Sequence, residues 1–139
     1  MSVTREQVLA GQAVYTKPML AAYDFLVLGF SNCLAWNCPA HRLEAHYNRH
    51  ISANHLDVGV GTGYFLDRCR FPTPTSRLAL TDLNKNALAF TTRRLARYRP
   101  DVYRRNALAP IILDAAKFDS VGMNNLLYCL PGSMRSKAV

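Results

Sequence analysis

The chain has 139 residues, half of them hydrophobic, and its 17 Lys and Arg residues against 9 Asp and Glu residues give a net charge of +8 at pH 7. Seven glycines and seven prolines exclude a collagen-like or low-complexity chain, and the length suits a single domain over residues 1–139. Four cysteines are too few for a disulfide scaffold, so we expect reduced thiols and a cytoplasmic protein.

The first fifty residues predict helices and no membrane span. A capping box at residues 4–7 begins the first helix, and residues 40–50 form another with Tyr47 on its apolar side. The apolar run at residues 19–36 is at the short end of what a bilayer needs, and Asp24 inside it would be costly there. We therefore expect a buried helix and no membrane partner.

From residue 55 onward the apolar pattern alternates between strands and helices. Asn84 can cap the helix that follows the second strand, and Leu88, Thr92 and Leu95 form the inward stripe of that helix. The predicted strands cover residues 55–58, 77–81, 101–105 and 118–123. This alternation predicts an α/β fold with a parallel sheet and helices on both faces.

A cluster of six arginines lies between Arg93 and Arg105. Such a cluster is typical either of a nucleic-acid surface or of a solvated helix face. Arg93 and Arg97 fall opposite the inward stripe of the helix that Asn84 caps. We therefore favour the interpretation of the cluster as a solvated helix face. A non-catalytic nucleic-acid-binding or nucleic-acid-modifying domain is the alternative hypothesis.

Three glycines, Gly59, Gly61 and Gly63, form a turn between the first strand and its helix. Without side chains they let a ligand approach the backbone, and the helix N-terminus offers unpaired N–H groups. The dinucleotide spacing would need a small residue where Tyr64 stands, and the phosphate-loop lysine is absent. The turn therefore predicts a ligand without a pyrophosphate, although it could also be purely structural.

Two acidic residues accompany the glycines. Asp82 follows the second strand, where a carboxylate of a doubly wound sheet can accept hydrogen bonds from both hydroxyls of a ribose. Asp57, at the end of the first strand, can orient the loop and face a positively charged ligand. Together they favour a ligand with a ribose and a positive charge, while Asp82 alone could be a turn residue.

Residues 56–63, 80–84 and 119–130 together resemble the class I S-adenosylmethionine-dependent methyltransferases. The resemblance implies a Rossmann-like doubly wound parallel sheet with strand order 3-2-1-4, and S-adenosyl-L-methionine as cofactor. It also implies that the chain is truncated after the fourth strand, with the C-terminal strands missing and residues 51–139 forming a partial cofactor-binding core.

The resemblance also implies the site residues. Asp82 would hold the ribose, Leu83 would pack on the adenine, and Asn106 stands where the family often has an acid that reaches the adenine amino group. Tyr128 replaces the usual histidine and is the catalytic candidate. The full set of predicted cofactor-binding residues is Asp57, Gly59, Gly61, Gly63, Asp82, Leu83, Asn106, Ala107 and Asn125.

The acceptor expected for such an enzyme is a small molecule. Residues 1–50 would form a helical lid, with Tyr15, Tyr23 and Trp36 lining the substrate pocket. The fourth strand would be an unprotected edge that invites self-association through Val121 and Met123, and methyl transfer by the truncated chain would be weak.

Metal binding is not expected. The spacer between the cysteine pair and the histidine pair is too short for a zinc finger. The residues weighed for such a site are Cys33, Cys38, His41, His46 and His50.

Overall fold

The structure is a computed structural model that describes residues 38–114, 116–127, 129–132 and 137. Most of the predicted lid, with Tyr15, Tyr23 and Trp36, and the catalytic candidate Tyr128 lie outside the described residues. The elements are α1 (Ala40–His50), β1 (Asn54–Val58), α2 (Tyr64–Arg68), β2 (Arg77–Asp82), α3 (Lys85–Arg94), a 3-10 turn (Ala96–Tyr98), β3 (Asp101–Arg104) and β4 (Ser120–Gly122).

The four strands form one parallel sheet in the order β3-β2-β1-β4. This confirms the predicted fold class and strand order. The chain runs outward from β1 to β3 and then returns to the other side of β1 as β4, so the direction of winding changes at β1. Ligands of open α/β sheets bind beyond the carboxyl ends of the strands at such a point.

The sheet has two faces that are covered differently. Leu78 and Leu80 of β2 lie on the face covered by α1, α2 and α3, which we call the helical face. Leu56, Val58 and Ala79 lie on the opposite face, which we call the loop face. The buried cluster of the helical face consists of Tyr47, Ile51, Val60, Phe65, Leu66, Cys69, Leu78, Leu80, Ala87, Leu88 and Leu95.

Over the described residues, the loop face is covered by partly buried side chains of β3 and of the segments that follow β3 and flank β4. Helices were expected on both faces. The connection from β3 to β4 instead runs as turns and irregular chain through Pro110, which lacks the N–H that a helix needs. The partly buried residues on this face are Tyr103, Ala107, Ile111, Leu113, Phe118 and Leu126.

The individual helices and strands agree closely with those predicted from the sequence, apart from small shifts. Asn84 caps α3 as predicted, since its side-chain oxygen accepts hydrogen bonds from the backbone N–H groups of Asn86 and Ala87 at 2.8 and 3.3 Å. The inward stripe of α3 uses Thr91, which is fully buried, in place of the expected Thr92. The fourth strand is shorter than predicted and covers three residues.

Candidate functional site

A pocket opens at the carboxyl ends of β1 and β2, between the glycine turn and the loops that follow β3 and β4. We call it the glycine-loop pocket. Parallel strands end at one edge of a sheet, so loops distant in sequence meet there. All nine predicted cofactor-binding residues line it: Asp57, Gly59, Gly61, Gly63, Asp82, Leu83, Asn106, Ala107 and Asn125.

The glycines of the turn have different structural reasons to be glycine. All three have a positive φ, 75° at Gly59, 52° at Gly61 and 69° at Gly63. A Cβ on Gly63 would lie 2.6 Å from Cγ2 of Thr91, so this glycine lets the turn pack on α3. A Cβ on Gly61 would meet no atom of the described residues within 4 Å. Gly61 therefore presents bare backbone to open space, as a loop that binds a ligand through its backbone requires.

Helix α3 holds the turn in this conformation. The Thr91 hydroxyl donates a hydrogen bond to the Gly61 carbonyl at 2.9 Å, and the Arg94 guanidinium donates one to the Thr62 carbonyl at 3.0 Å. The carbonyl oxygens of Gly61 and Thr62 are thus both bound by side chains of one helix.

Asp82 lies at the end of β2 and lines the pocket. Its Oδ1 accepts a hydrogen bond from the backbone N–H of Asn84 at 2.8 Å, so it also organises the turn into α3. Burial raises the pKa of Asp82, while hydrogen bonds from the backbone N–H groups of Asn84, Gly61 and Leu83 act in the opposite direction. The structural and the ligand-binding interpretations of this residue are therefore compatible.

Asp57 is 4% exposed and sits at the base of the pocket. The Tyr47 hydroxyl donates a hydrogen bond to its Oδ2 at 2.7 Å, and His55 Nε2 lies 3.7 Å from the same oxygen. Burial, and then the nearby charge of Asp57, raise the pKa of Tyr47 far above its usual value, so Tyr47 remains a protonated donor.

The remaining predicted residues form the opposite wall. The side-chain oxygen of Asn106 accepts a hydrogen bond from the backbone N–H of Leu108 at 3.0 Å, which shapes the loop after β3. The carbonyl of Leu83 accepts one from the Arg104 guanidinium at 3.0 Å. Asn125 has a φ of 52°, a left-handed conformation that asparagine tolerates better than most residues.

Most of the arginine cluster binds groups of the protein itself. Besides Arg94 and Arg104, Arg97 pairs with the Asp67 carboxylate and Arg105 donates to the Ile112 carbonyl. Arg93 and Arg97 are exposed, as the solvated-face interpretation predicted.

The sequence interpretation missed several pocket residues. Tyr47 looked like an ordinary core aromatic at helical spacing, and nothing local links it to Asp57. Asn124 could have been found, because it directly precedes Asn125 in the same loop. The missed lining residues include Tyr47, Thr62, Asn124 and Cys129.

Two other kinds of site can be addressed over the described part of the chain. No group of three or more His, Cys, Asp or Glu side chains there could hold a metal ion. Likewise, none of the helices described in the structure has the length and apolarity that a membrane crossing demands.

Comparison with known proteins points to one family. Residues 56–139 match the methyltransferase domain family. The chain is 44% identical over 134 residues to demethylluteothin O-methyltransferase of Streptomyces thioluteus, covering 96% of this chain and 58% of that protein. It is 41% identical over 129 residues to the physcion biosynthesis cluster O-methyltransferase of Aspergillus chevalieri, covering 91% and 58%.

A third relative is named as an N-methyltransferase, in contrast to the two O-methyltransferases. The chain is 38% identical over 104 residues to N-methyltransferase vrtF of Penicillium aethiopicum, covering 73% of this chain and 42% of that protein. The chain thus spans about half the length of the curated relatives it matches.

Proposed function

Because the chain belongs to the methyltransferase domain family, we propose that the protein transfers a methyl group from S-adenosylmethionine to a small-molecule acceptor. The observation that carries the proposal is a single pocket that combines bare backbone at Gly61 with the carboxylates of Asp57 and Asp82. When bound, S-adenosylmethionine supplies an electrophilic methyl group on a positively charged sulfur.

The residues of the pocket fit this cofactor. An ionised carboxylate has about four acceptor sites, so Asp82 can accept a ribose hydroxyl beyond its three backbone partners. Asp57 complements positive charge at the base of the pocket. Leu83 and Ala107 supply apolar contacts for the adenine, and Asn106 supplies an amide at the same wall.

The acceptor atom we propose is a hydroxyl oxygen, because two of the relatives are named O-methyltransferases. The protein's task is then to align the two reactants and to exclude water. The catalytic role of Tyr128 and the substrate contacts of Tyr15, Tyr23 and Trp36 stay predictions, since these residues lie outside the described part of the chain.

Location and assembly are also part of the proposal. The cytoplasmic location stays a prediction from the sequence. Self-association through β4, which lies at the edge of the described sheet, is supported by exposed apolar side chains in this strand and directly after it, Val121 at 59% and Met123 at 46% exposure. A nucleic-acid partner is not favoured, because much of the arginine cluster is bound to protein acceptors.

The test is calorimetric titration of the protein with S-adenosylmethionine and S-adenosylhomocysteine, with NAD in parallel. We expect the two sulfur compounds to bind and NAD to bind far more weakly. Asp82→Ala should weaken binding by at least one hydrogen bond to a charged acceptor, about 1.5–3 kcal/mol. Unchanged affinity in this variant would remove the ribose assignment, and preferential binding of NAD would contradict the proposal.

A further inference from the structure

We propose that Tyr47 is a positioning residue, which fixes the Asp57 carboxylate so that it receives the ammonium group at the amino-acid end of the cofactor. This inference rests on the proposed function and extends it to a residue of α1, outside the region that matches the family. It assigns to α1 a role in ligand recognition.

The ring of Tyr47 is itself held in place. It is 7% exposed and stacks on Phe65, with ring centroids 5.7 Å apart and an angle of 14° between the planes. Phe65 lies in α2, which begins directly after the glycine turn. The hydroxyl that meets Asp57 is therefore positioned by the same helix that continues the turn.

The hydroxyl can act only as a donor toward Asp57. Its proton is retained because the ring is buried and the Asp57 carboxylate is adjacent. The hydrogen bond to Oδ2, at 2.7 Å, therefore has a fixed direction. A buried carboxylate oxygen without such a donor would lose the solvation that water gave it.

The hydrogen bond from Tyr47 orients the Oδ2 atom of Asp57, because the other neighbours of this oxygen do not. His55 Nε2 is 3.7 Å away, too far for a hydrogen bond, and has no hydrogen-bond partner among the residues that the structure describes. Its Nδ1 is bound to the Ser120 hydroxyl at 2.7 Å, which keeps the ring in place. On the β4 side, a Cβ at Gly122 would lie 2.7 Å from Oδ2. The Asp57 carboxylate thus lies between His55 and Gly122 and accepts its hydrogen bond from Tyr47.

We expect the loss of the Tyr47 hydroxyl to weaken recognition of one end of the ligand only. A displaced Asp57 weakens recognition of a ligand ammonium group, whereas the ribose and adenine contacts at Asp82 and Leu83 are formed elsewhere in the pocket. S-Adenosylhomocysteine carries the amino-acid end, and 5′-methylthioadenosine lacks it. Comparing these two ligands separates an effect on Asp57 from a general loss of the pocket.

The experiment measures both dissociation constants by calorimetry for the full chain and for Tyr47→Phe, Asp57→Asn and the double variant. We expect Tyr47→Phe to bind S-adenosylhomocysteine about tenfold more weakly, the loss of one hydrogen bond to a charged group. Its affinity for 5′-methylthioadenosine should change less than about twofold, within the scatter of sites that do not interact. The double variant should bind no more weakly than Asp57→Asn alone, because Tyr47 acts through Asp57.

Tyr98→Phe is the matched control, because Tyr98 packs at the edge of the same core against Phe71 and does not line the pocket. It should leave both affinities unchanged. Thermal unfolding shows whether each variant is folded. If Tyr47→Phe weakens both ligands equally, or neither, the positioning role is wrong even though the cofactor binds. If the unaltered protein binds neither ligand, the proposed function fails and the positioning role with it.

Discussion

The two faces of the sheet are built differently, and the pocket draws one wall from each. On the helical face, three helices bury a continuous cluster that includes Leu66, Leu78 and Leu80 at 0–2% exposure. On the loop face, buried strand residues are covered by side chains that are only partly buried. The glycine turn therefore rests on a well-buried layer, whereas Ala107 and Leu126 belong to a layer with less buried surface.

The largest expected effect tests this difference in packing. Leu80→Ala removes a fully buried side chain from the helical face and should lower the free energy of unfolding by about 2–5 kcal/mol. Leu113→Ala, at a partly buried position on the loop face, should cost about 1 kcal/mol. Urea denaturation of both variants measures the two losses. Equal losses would show that the faces contribute alike.

Next in size is a contrast within the glycine turn. Gly63→Ala should lower the free energy of unfolding by about 2–4 kcal/mol, since the new Cβ combines a left-handed backbone with a contact on the buried Thr91. Gly61→Ala meets no neighbour and should cost about 1 kcal/mol of backbone strain. Gly61→Ala should nevertheless weaken S-adenosylhomocysteine binding, because its methyl group enters the pocket. Thermal unfolding and calorimetry separate the two effects, and a Gly61→Ala protein with full affinity would move the ligand away from the turn.

The smallest expected effect is a pH-dependent change in the free energy of unfolding caused by Asp82. Burial raises its pKa above the usual 3.8, so the folded protein holds this proton more tightly than the unfolded chain does. The stability gained from protonation is present below pH 3.8 and is lost as the pH rises through the raised pKa. Asp82→Asn should therefore be more stable than the unaltered protein at neutral pH, and the gap should close as the pH falls.

Chemical denaturation over a range of pH measures that gap. Asp114→Asn is the control, since it makes the same substitution at an exposed position that does not line the pocket, and the gap for Asp82→Asn is measured relative to it. A gap that stays constant down to pH 3 would mean that the carboxylate of Asp82 is not destabilised by burial.

Much of the fold and of the glycine-side wall could be predicted because the signals are local. The strand, the three glycines and Asp82 each follow from a short stretch of sequence, and strand order followed from the resemblance. Tyr47 could not be found this way, because its contact with Asp57 depends on how α1 packs across α2. Leu88 and Leu95 are buried as predicted, but the third member of the stripe is Thr91 and not Thr92. The two residues are identical in type, so only tertiary packing decides between them.

The local role of Asn106 on the loop-face side could not be predicted from the apolar pattern. Its side-chain oxygen accepts a hydrogen bond from the backbone N–H of Leu108 and so shapes the loop after β3. Asparagine favours such local hydrogen bonds in turns. The contact of Asn106 with the adenine, which the resemblance implies, stays a prediction, because the amide oxygen can accept a second hydrogen bond.

The two hydrogen bonds from Thr91 and Arg94 to the carbonyls of the glycine turn have a thermodynamic consequence. The turn has three glycines among its five residues, 59–63, and would otherwise explore many backbone conformations. Because α3 already restricts them, the entropy of ordering the turn is lost when the protein folds rather than when a ligand arrives. Ligand association should therefore carry only a small entropic penalty from the turn, and truncating Thr91 to alanine would transfer that penalty to the binding step.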